Sequence, residues 1–137
     1  MVEIAQTDIE VRLADDASSG LASIVQQFLA QQLDESAKRR TRALRMRGRL
    51  GLSATDYRTS VTVDFRGREI VVCDGIVEPL DASIAGTYKA LTKLMQGRLN
   101  PLIAHLRRDL KVKSRLGNLF FPLRVHRLMK LTPETNS

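Results

Sequence analysis

The chain has 137 residues, 43% hydrophobic and 27% charged, with a net charge of +7. That fits one soluble globular domain, leaves no room for two full ones, and includes no run near the ~18 apolar residues of a membrane span. One cysteine, Cys73, excludes an internal disulfide and a multi-cysteine zinc site, and two histidines, His105 and His126, make a histidine metal site or a catalytic triad hard to build.

Met1-Val2-Glu3-Ile4 is acidic and lacks a basic segment before an apolar run, so no signal peptide is expected. Residues 1–17 read as an N-terminal arm. Ile9, Val11 and Leu13 alternate with polar residues, which suits a short strand or an extended arm equally. Such an arm can complete the sheet edge of a second copy and make a homodimer. The main domain is expected over residues 18–130, followed by a frayed tail over 131–137.

Ser18 or Ser19 can cap a helix starting near Gly20, with Leu21, Ile24, Val25, Phe28, Leu29 and Leu33 on one stripe. A basic run, Lys38, Arg39, Arg40 and Arg42, passes into alternation. Leu44, Met46, Gly48, Leu50 and Leu52 fall on one face, and Arg45, Arg47, Arg49 and Gly51 on the other. Period two predicts a strand with one buried and one solvent face. Val61, Val63 and Phe65 predict the next strand. A turn at Arg66-Gly67 would set Val63 opposite Ile70 and Val61 opposite Val72, with Val71 and Cys73 outward. Asp74-Gly75 is a further turn, and Leu80, Ala82 and Ile84 predict a fourth strand continuing a meander.

The period then changes. Thr87 can cap a helix carrying Leu91, Leu94 and Met95 and ending at Gly97, and Asn100-Pro101 can start another lined by Ile103 and Leu106. Leu110-Lys111-Val112-Lys113 suits a short edge strand with its lysines outward. Leu116, Leu119, Phe120, Leu123, Leu128 and Met129 predict a C-terminal amphipathic helix interrupted at Pro122. The fold class is α+β: a five-stranded, mostly antiparallel sheet with helices on one face.

Charge is unevenly placed. Residues 1–37 hold one base against seven acids, and the rest of the chain 21 bases against eight acids. A basic balance points to nucleic acid or a phospholipid surface as partner, or to a merely solvated surface. Arg45, Arg47 and Arg49 would be the phosphate contacts of a nucleic-acid-binding or scaffold protein. Yet aromatic content of 4% leaves few platforms for stacked bases. No catalytic constellation is present. Gly48-Arg49-Leu50-Gly51 lacks the lysine of a phosphate loop, Cys73 has no base beside it, and both histidines read as surface or packing residues. The chain is therefore not expected to be an enzyme or to hold a cofactor. The apolar set fits either a solid core or an apolar cavity.

From Asp81 the text runs Asp81-Ala82-Ser83-Ile84-Ala85-Gly86, then a helix with Leu91 and Leu94, then Gly97-Arg98-Leu99-Asn100-Pro101-Leu102-Ile103-Ala104. It continues through Leu110-Lys111-Val112-Lys113 and Leu116-Gly117 to Leu123. This order and spacing resemble the sterol carrier protein 2 family of lipid-transfer domains over most of residues 20–130. The resemblance implies helices and sheet enclosing an apolar tunnel that binds a sterol, a fatty acyl chain or an isoprenoid quinone precursor without chemistry. On that reading Leu44, Met46, Leu50, Val61, Val63, Leu91, Met95, Ile103, Leu106, Phe120 and Leu123 line the tunnel. Arg107, Arg108, Arg124 and Arg127 near its mouth touch an anionic membrane transiently. The implied partners are the lipid and a lipid-modifying enzyme, not nucleic acid. The chain departs from the family at His105, where Phe is frequent, and at Arg108 and Ser114, where Gly is frequent. Its last residues, Thr135-Asn136-Ser137, are not a peroxisomal address, and a cytoplasmic location is the simplest expectation.

Overall fold

The computed structural model describes residues 9–15, 17, 19–96, 98, 107–108, 110–114 and 125. In chain order the elements are β1 (Glu10–Leu13), α1 (Gly20–Asp34), α2 (Ala37–Leu44), β2 (Arg47–Ala54), β3 (Thr59–Arg66), β4 (Glu69–Asp74), β5 (Ala82–Gly86), α3 (Tyr88–Met95) and β6 (Leu110–Ser114). The strands form one sheet in the order β1-β4-β3-β2-β5-β6. The class is α+β as expected, but the sheet has six strands and is mixed: β1 runs parallel to β4 and β2 parallel to β5.

The sixth strand comes from the N-terminal arm. Glu10–Leu13 pairs with Glu69–Val72, so this stretch completes the chain's own sheet edge. Gln26 Nε2 donates to the Val11 carbonyl at 2.8 Å and fastens α1 to it. Ser19 caps α1 by accepting from the Ala22 N–H, and Leu21, Val25, Leu29 and Leu33 bury its apolar stripe.

The basic run is a helix and not the start of a strand. Ser36 caps α2 by accepting from the Arg39 N–H. Arg39 is buried and donates to Gln32 Oε1, while Arg40 donates to the carbonyls of Leu33 and Asp34 at the end of α1. Cations there complement the carbonyl end of the helix dipole. Leu44 therefore ends a helix half-buried, and Met46 is buried in the turn before β2. Alternation begins only at Arg47.

Leu50 and Leu52 of β2, Val61, Val63 and Phe65 of β3, and Ile70 and Val72 of β4 share the inner face, nearly inaccessible to solvent. The β3–β4 turn is Gly67-Arg68, so Val63 faces Val72 and Phe65 faces Ile70. Gly67 has φ +87°, as the first central residue of a two-residue hairpin requires. The expected register was two residues off, and a two-residue shift leaves every side chain on its face.

β5 does not continue the meander. The chain leaves β4 at Gly75, crosses the outer face of β3 and β2, and enters the sheet beyond β2. Leu80 belongs to this crossing strap, not to a strand. Thr62 Oγ1 donates to the Gly75 carbonyl at 2.8 Å and accepts from the Val77 N–H at 2.9 Å. Arg49 Nη1 donates to the Glu78 carbonyl, and the Arg49 N–H donates to Asp81 Oδ2, both at 2.8 Å. Gly51 makes room for the strap: a Cβ there would lie 2.9 Å from Leu80 Cδ1 and 3.1 Å from Ile76 Cδ1. Gly51→Val should displace the strap and cost about 1–3 kcal/mol. Urea melts measure the loss, and limited proteolysis should find new cuts within residues 75–81.

The strand arginines are committed within the fold. Arg12, Glu69, Arg66, Asp64 and Arg49 form a ladder across β1, β4, β3 and β2, with contacts of 2.7 Å (Arg12–Glu69), 3.4 Å (Arg66–Glu69), 3.0 Å (Arg66–Asp64) and 3.4 Å (Arg49–Asp64). Arg47 donates to the carbonyls of Leu44 and Met46 and packs over Gly67. Only Arg45 of the three arginines considered for phosphate contact is left exposed without such contacts, which removes the basis for a nucleic-acid face. The hydrogen bond from Arg12 holds the Glu69 carboxyl below the ordinary carboxylate range. Its stabilising contribution is therefore present above the unfolded value, near ~4.3, and lost as pH falls through the lower folded one. The protection factors of the amides of residues 10–13, corrected for intrinsic exchange, should fall on acidification through that window, and Glu69→Gln should abolish this pH dependence.

Candidate functional site

The site begins from the inner face of the sheet. Every fully buried side chain on that face is apolar, from Leu50, Leu52, Val61, Val63 and Phe65 to Ile84. Among the described residues, α1 and α3 pack over it. Thr87 caps α3 by accepting from the Ala90 N–H at 3.1 Å, and α3 turns Leu91, Leu94 and Met95 inward against α1 and the sheet. The α3 N-terminus is tied to the β2–β3 loop: the Tyr88 N–H donates to Asp56 Oδ1 at 2.9 Å, and Tyr57 stacks on Tyr88 at 5.0 Å between ring centroids.

Of the residues expected to line a tunnel, Met46, Leu50, Val61, Val63, Leu91 and Met95 join one apolar cluster. Leu44 is half-buried at the end of α2. Ile103, Leu106, Phe120 and Leu123 lie outside the described residues, as do the helices expected after Asn100 and Leu116 and both histidines. Val125 is helical and buried in the same cluster. Arg107 and Arg108 are exposed, in the turn that leads into β6, while Arg124 and Arg127 lie outside the described residues. β6 forms the predicted edge strand, with Lys111 and Lys113 exposed. Cys73 is half-buried in β4 opposite Thr62.

The turn before β6 is kept despite the departures from the family pattern. Arg108 takes φ +64°, a left-handed conformation that glycine adopts freely, and Ser114 pairs in the strand opposite Ala82.

Among the described residues, clefts open beside this core. One, of about 760 Å³, lies between β1 and the α1–α2 hairpin, on Ile9, Val11, Ala30 and Leu33 with Asp34 and Arg40 at its rim. Another, of about 570 Å³, lies at the end of β5 and β6, on Ala85, Gly86 and Leu110 with Arg108 and Lys111 beside them. Both volumes suit a small amphiphilic ligand. Thr55 and Thr87 also border the second cleft. Sequence reasoning missed both of these as site residues, because their turns are distant in the chain and only strand pairing brings them together. No helix among the described residues is long and apolar enough to cross a membrane.

The fold is shared with solved structures at low sequence identity. A structure titled "UbiJ-SCP2 Ubiquinone synthesis protein" superposes with a TM-score of 0.60 at 19% identity, covering 80% of this chain and 95% of that one. Sterol carrier protein domain 2 of Helicoverpa armigera gives 0.63 at 15% identity, covering 87% and 98%. Palmitated SCP2L2 from Aedes aegypti gives 0.52 at 10% identity, covering 82% and 95%. Among curated proteins none matches the chain. The model of the SCP-2 sterol transfer family matches residues 25–130, which spans α1 to beyond β6. With the sheet order, the apolar inner face and that match taken together, the chain belongs to the SCP-2 sterol transfer family, a family of lipid-binding domains.

Proposed function

We propose that this protein encloses a hydrophobic lipid in an apolar tunnel over the inner sheet face and carries or presents it without chemistry. The observation that carries the reading is the inner face itself, whose fully buried side chains include no polar group across the strands β2 to β5. Met46, Leu50, Val61, Val63, Leu91 and Met95 supply the described part of the lining. Burial alone supplies the affinity. At about 0.8 kcal/mol per methylene, a chain of ~16 carbons contributes roughly 13 kcal/mol before the entropic costs of association.

The likeness to a ubiquinone synthesis protein and to a palmitated carrier supports an isoprenoid or fatty acyl cargo. The likeness to a ubiquinone synthesis protein also supports presentation of the lipid to a lipid-modifying enzyme. The exposed bases Arg107 and Arg108 would give brief contacts with an anionic bilayer during exchange, at about 1 kcal/mol each.

Organic extraction of the purified protein followed by mass spectrometry tests the reading. One lipid class should co-purify at a molar ratio approaching that of the protein. Protein free of lipid that also fails to bind a fluorescent fatty acid would sink it.

A further inference from the structure

We propose that the cleft at the end of β5 and β6 is an anion subsite that takes the carboxylate or phosphate head of the bound lipid, with Arg108 and Lys111 as its cations. The proposal rests on the lipid-binding reading above and narrows its ligand to an anionic amphiphile.

The cleft divides by chemistry. Ala85, Gly86 and Leu110 present methyl groups and backbone, while Arg108 and Lys111 bring two positive charges. No acidic side chain borders it among the described residues. Thr55 Oγ1 donates to the Gly86 carbonyl at 3.3 Å, and Thr87 Oγ1 accepts from the Ala90 N–H at 3.1 Å, which leaves the Thr87 O–H as a donor. The Asp56 carboxylate accepts from the Tyr88 N–H at 2.9 Å. An incoming anion would meet the two cations, with the Thr87 hydroxyl able to donate beside them.

Those cations differ from the other arginines of the sheet. Arg12, Arg49 and Arg66 are paired with Glu69 or Asp64, whereas neither Arg108 nor Lys111 has a hydrogen bond or ion pair among the described residues. Arg108 also holds φ +64°, a conformation in which a side chain is strained and glycine is not. A guanidinium is thus held at the rim of the cleft by a backbone better suited to having no side chain at all.

The cleft also leads to the core. Leu110 is only 3% exposed and belongs to the apolar cluster. It pairs with Gly86, and the next inward pair along the two strands is Ile84 with Val112. Lys111 alternates with Leu110 and stands on the opposite face, so a head held between Arg108 and Lys111 at the strand end would send its tail around that end past Leu110.

The experiment titrates the full-length protein with a fluorescent fatty acid, with its methyl ester and with inorganic phosphate alone. Each titration compares the wild type, Lys111→Gln and the double variant Arg108→Gly with Lys111→Gln. Glycine suits the backbone at 108, and Lys111 is exposed on an edge strand, so the variants should fold, as circular dichroism can verify. The wild type should bind the acid about ten-fold or more tighter than the ester. Lys111→Gln should lose part of that ratio. In the double variant it should shrink to about two-fold or less, while ester affinity stays constant. Equal binding of acid and ester by the wild type overturns the subsite and leaves the lipid reading standing. Phosphate bound as tightly as the fatty acid, and lost in the double variant, assigns the cations to a free anion and overturns the lipid-head role. Failure of both acid and ester to bind overturns the subsite and the lipid reading together.

Discussion

Replacing Phe65 by alanine should cost about 3–5 kcal/mol of folding stability. Phe65 is 1% exposed, among the largest fully buried side chains of the molecule, on the inner face of β3. Its strand partners are Ile70 on one side and Gly48 on the other. The glycine contributes no side chain beside the ring, so nothing from β2 at that position can collapse into the space left by truncation. A domain of this size has only about 5–15 kcal/mol in total, and the variant should be marginal at room temperature. Urea denaturation of wild type and variant measures the difference. A loss below about 1 kcal/mol would mean that the Phe65 site relaxes freely and that the sheet end near the β3–β4 turn is not tightly packed.

Saturating lipid should raise the melting temperature by roughly 8–13 °C over the delipidated protein. A ligand that binds only the folded state, present at ~100 times its Kd, stabilises by about 2.7 kcal/mol. For a chain of this length each kcal/mol moves Tm by roughly 3–5 °C. The measurement needs lipid stripped by extraction and replaced in a controlled titration, since co-purified cargo would hide the shift. A Tm that stays fixed across the titration argues against a folded-state lipid site.

Much of this molecule is visible in local pattern. Ser19 and Thr87 were legible as helix caps because a cap depends on one side chain and an N–H three residues on. The faces of Thr59–Arg66 and Leu110–Ser114 were legible because strand alternation is local. The same rule misled at Leu44 and Met46, where a chance alternation ran back into a helix. The signal for that helix was Ser36 ahead of Ala37-Lys38-Arg39-Arg40, a capping residue before good helix formers. The inner-face residues could be named as apolar but not arranged in space.

The sequence by itself determined the class, the helix caps, the apolar inner face and the resemblance to a lipid-carrier family. All of these follow from side-chain chemistry repeated at the period of a helix or strand. Only the tertiary structure decided where the first and fifth strands join the sheet. Nothing local in Glu10–Leu13 states that its partner is Glu69–Val72, and nothing in Ala82–Gly86 states that it lies beside β2. Those choices depend on contacts between residues far apart in the chain: Gly51 makes room for Ile76 and Leu80, and Thr62 and Arg49 fasten the strap. They also decide the charge: a row of arginines reads as a surface for polyanions until the fold sets Asp64 and Glu69 beside it.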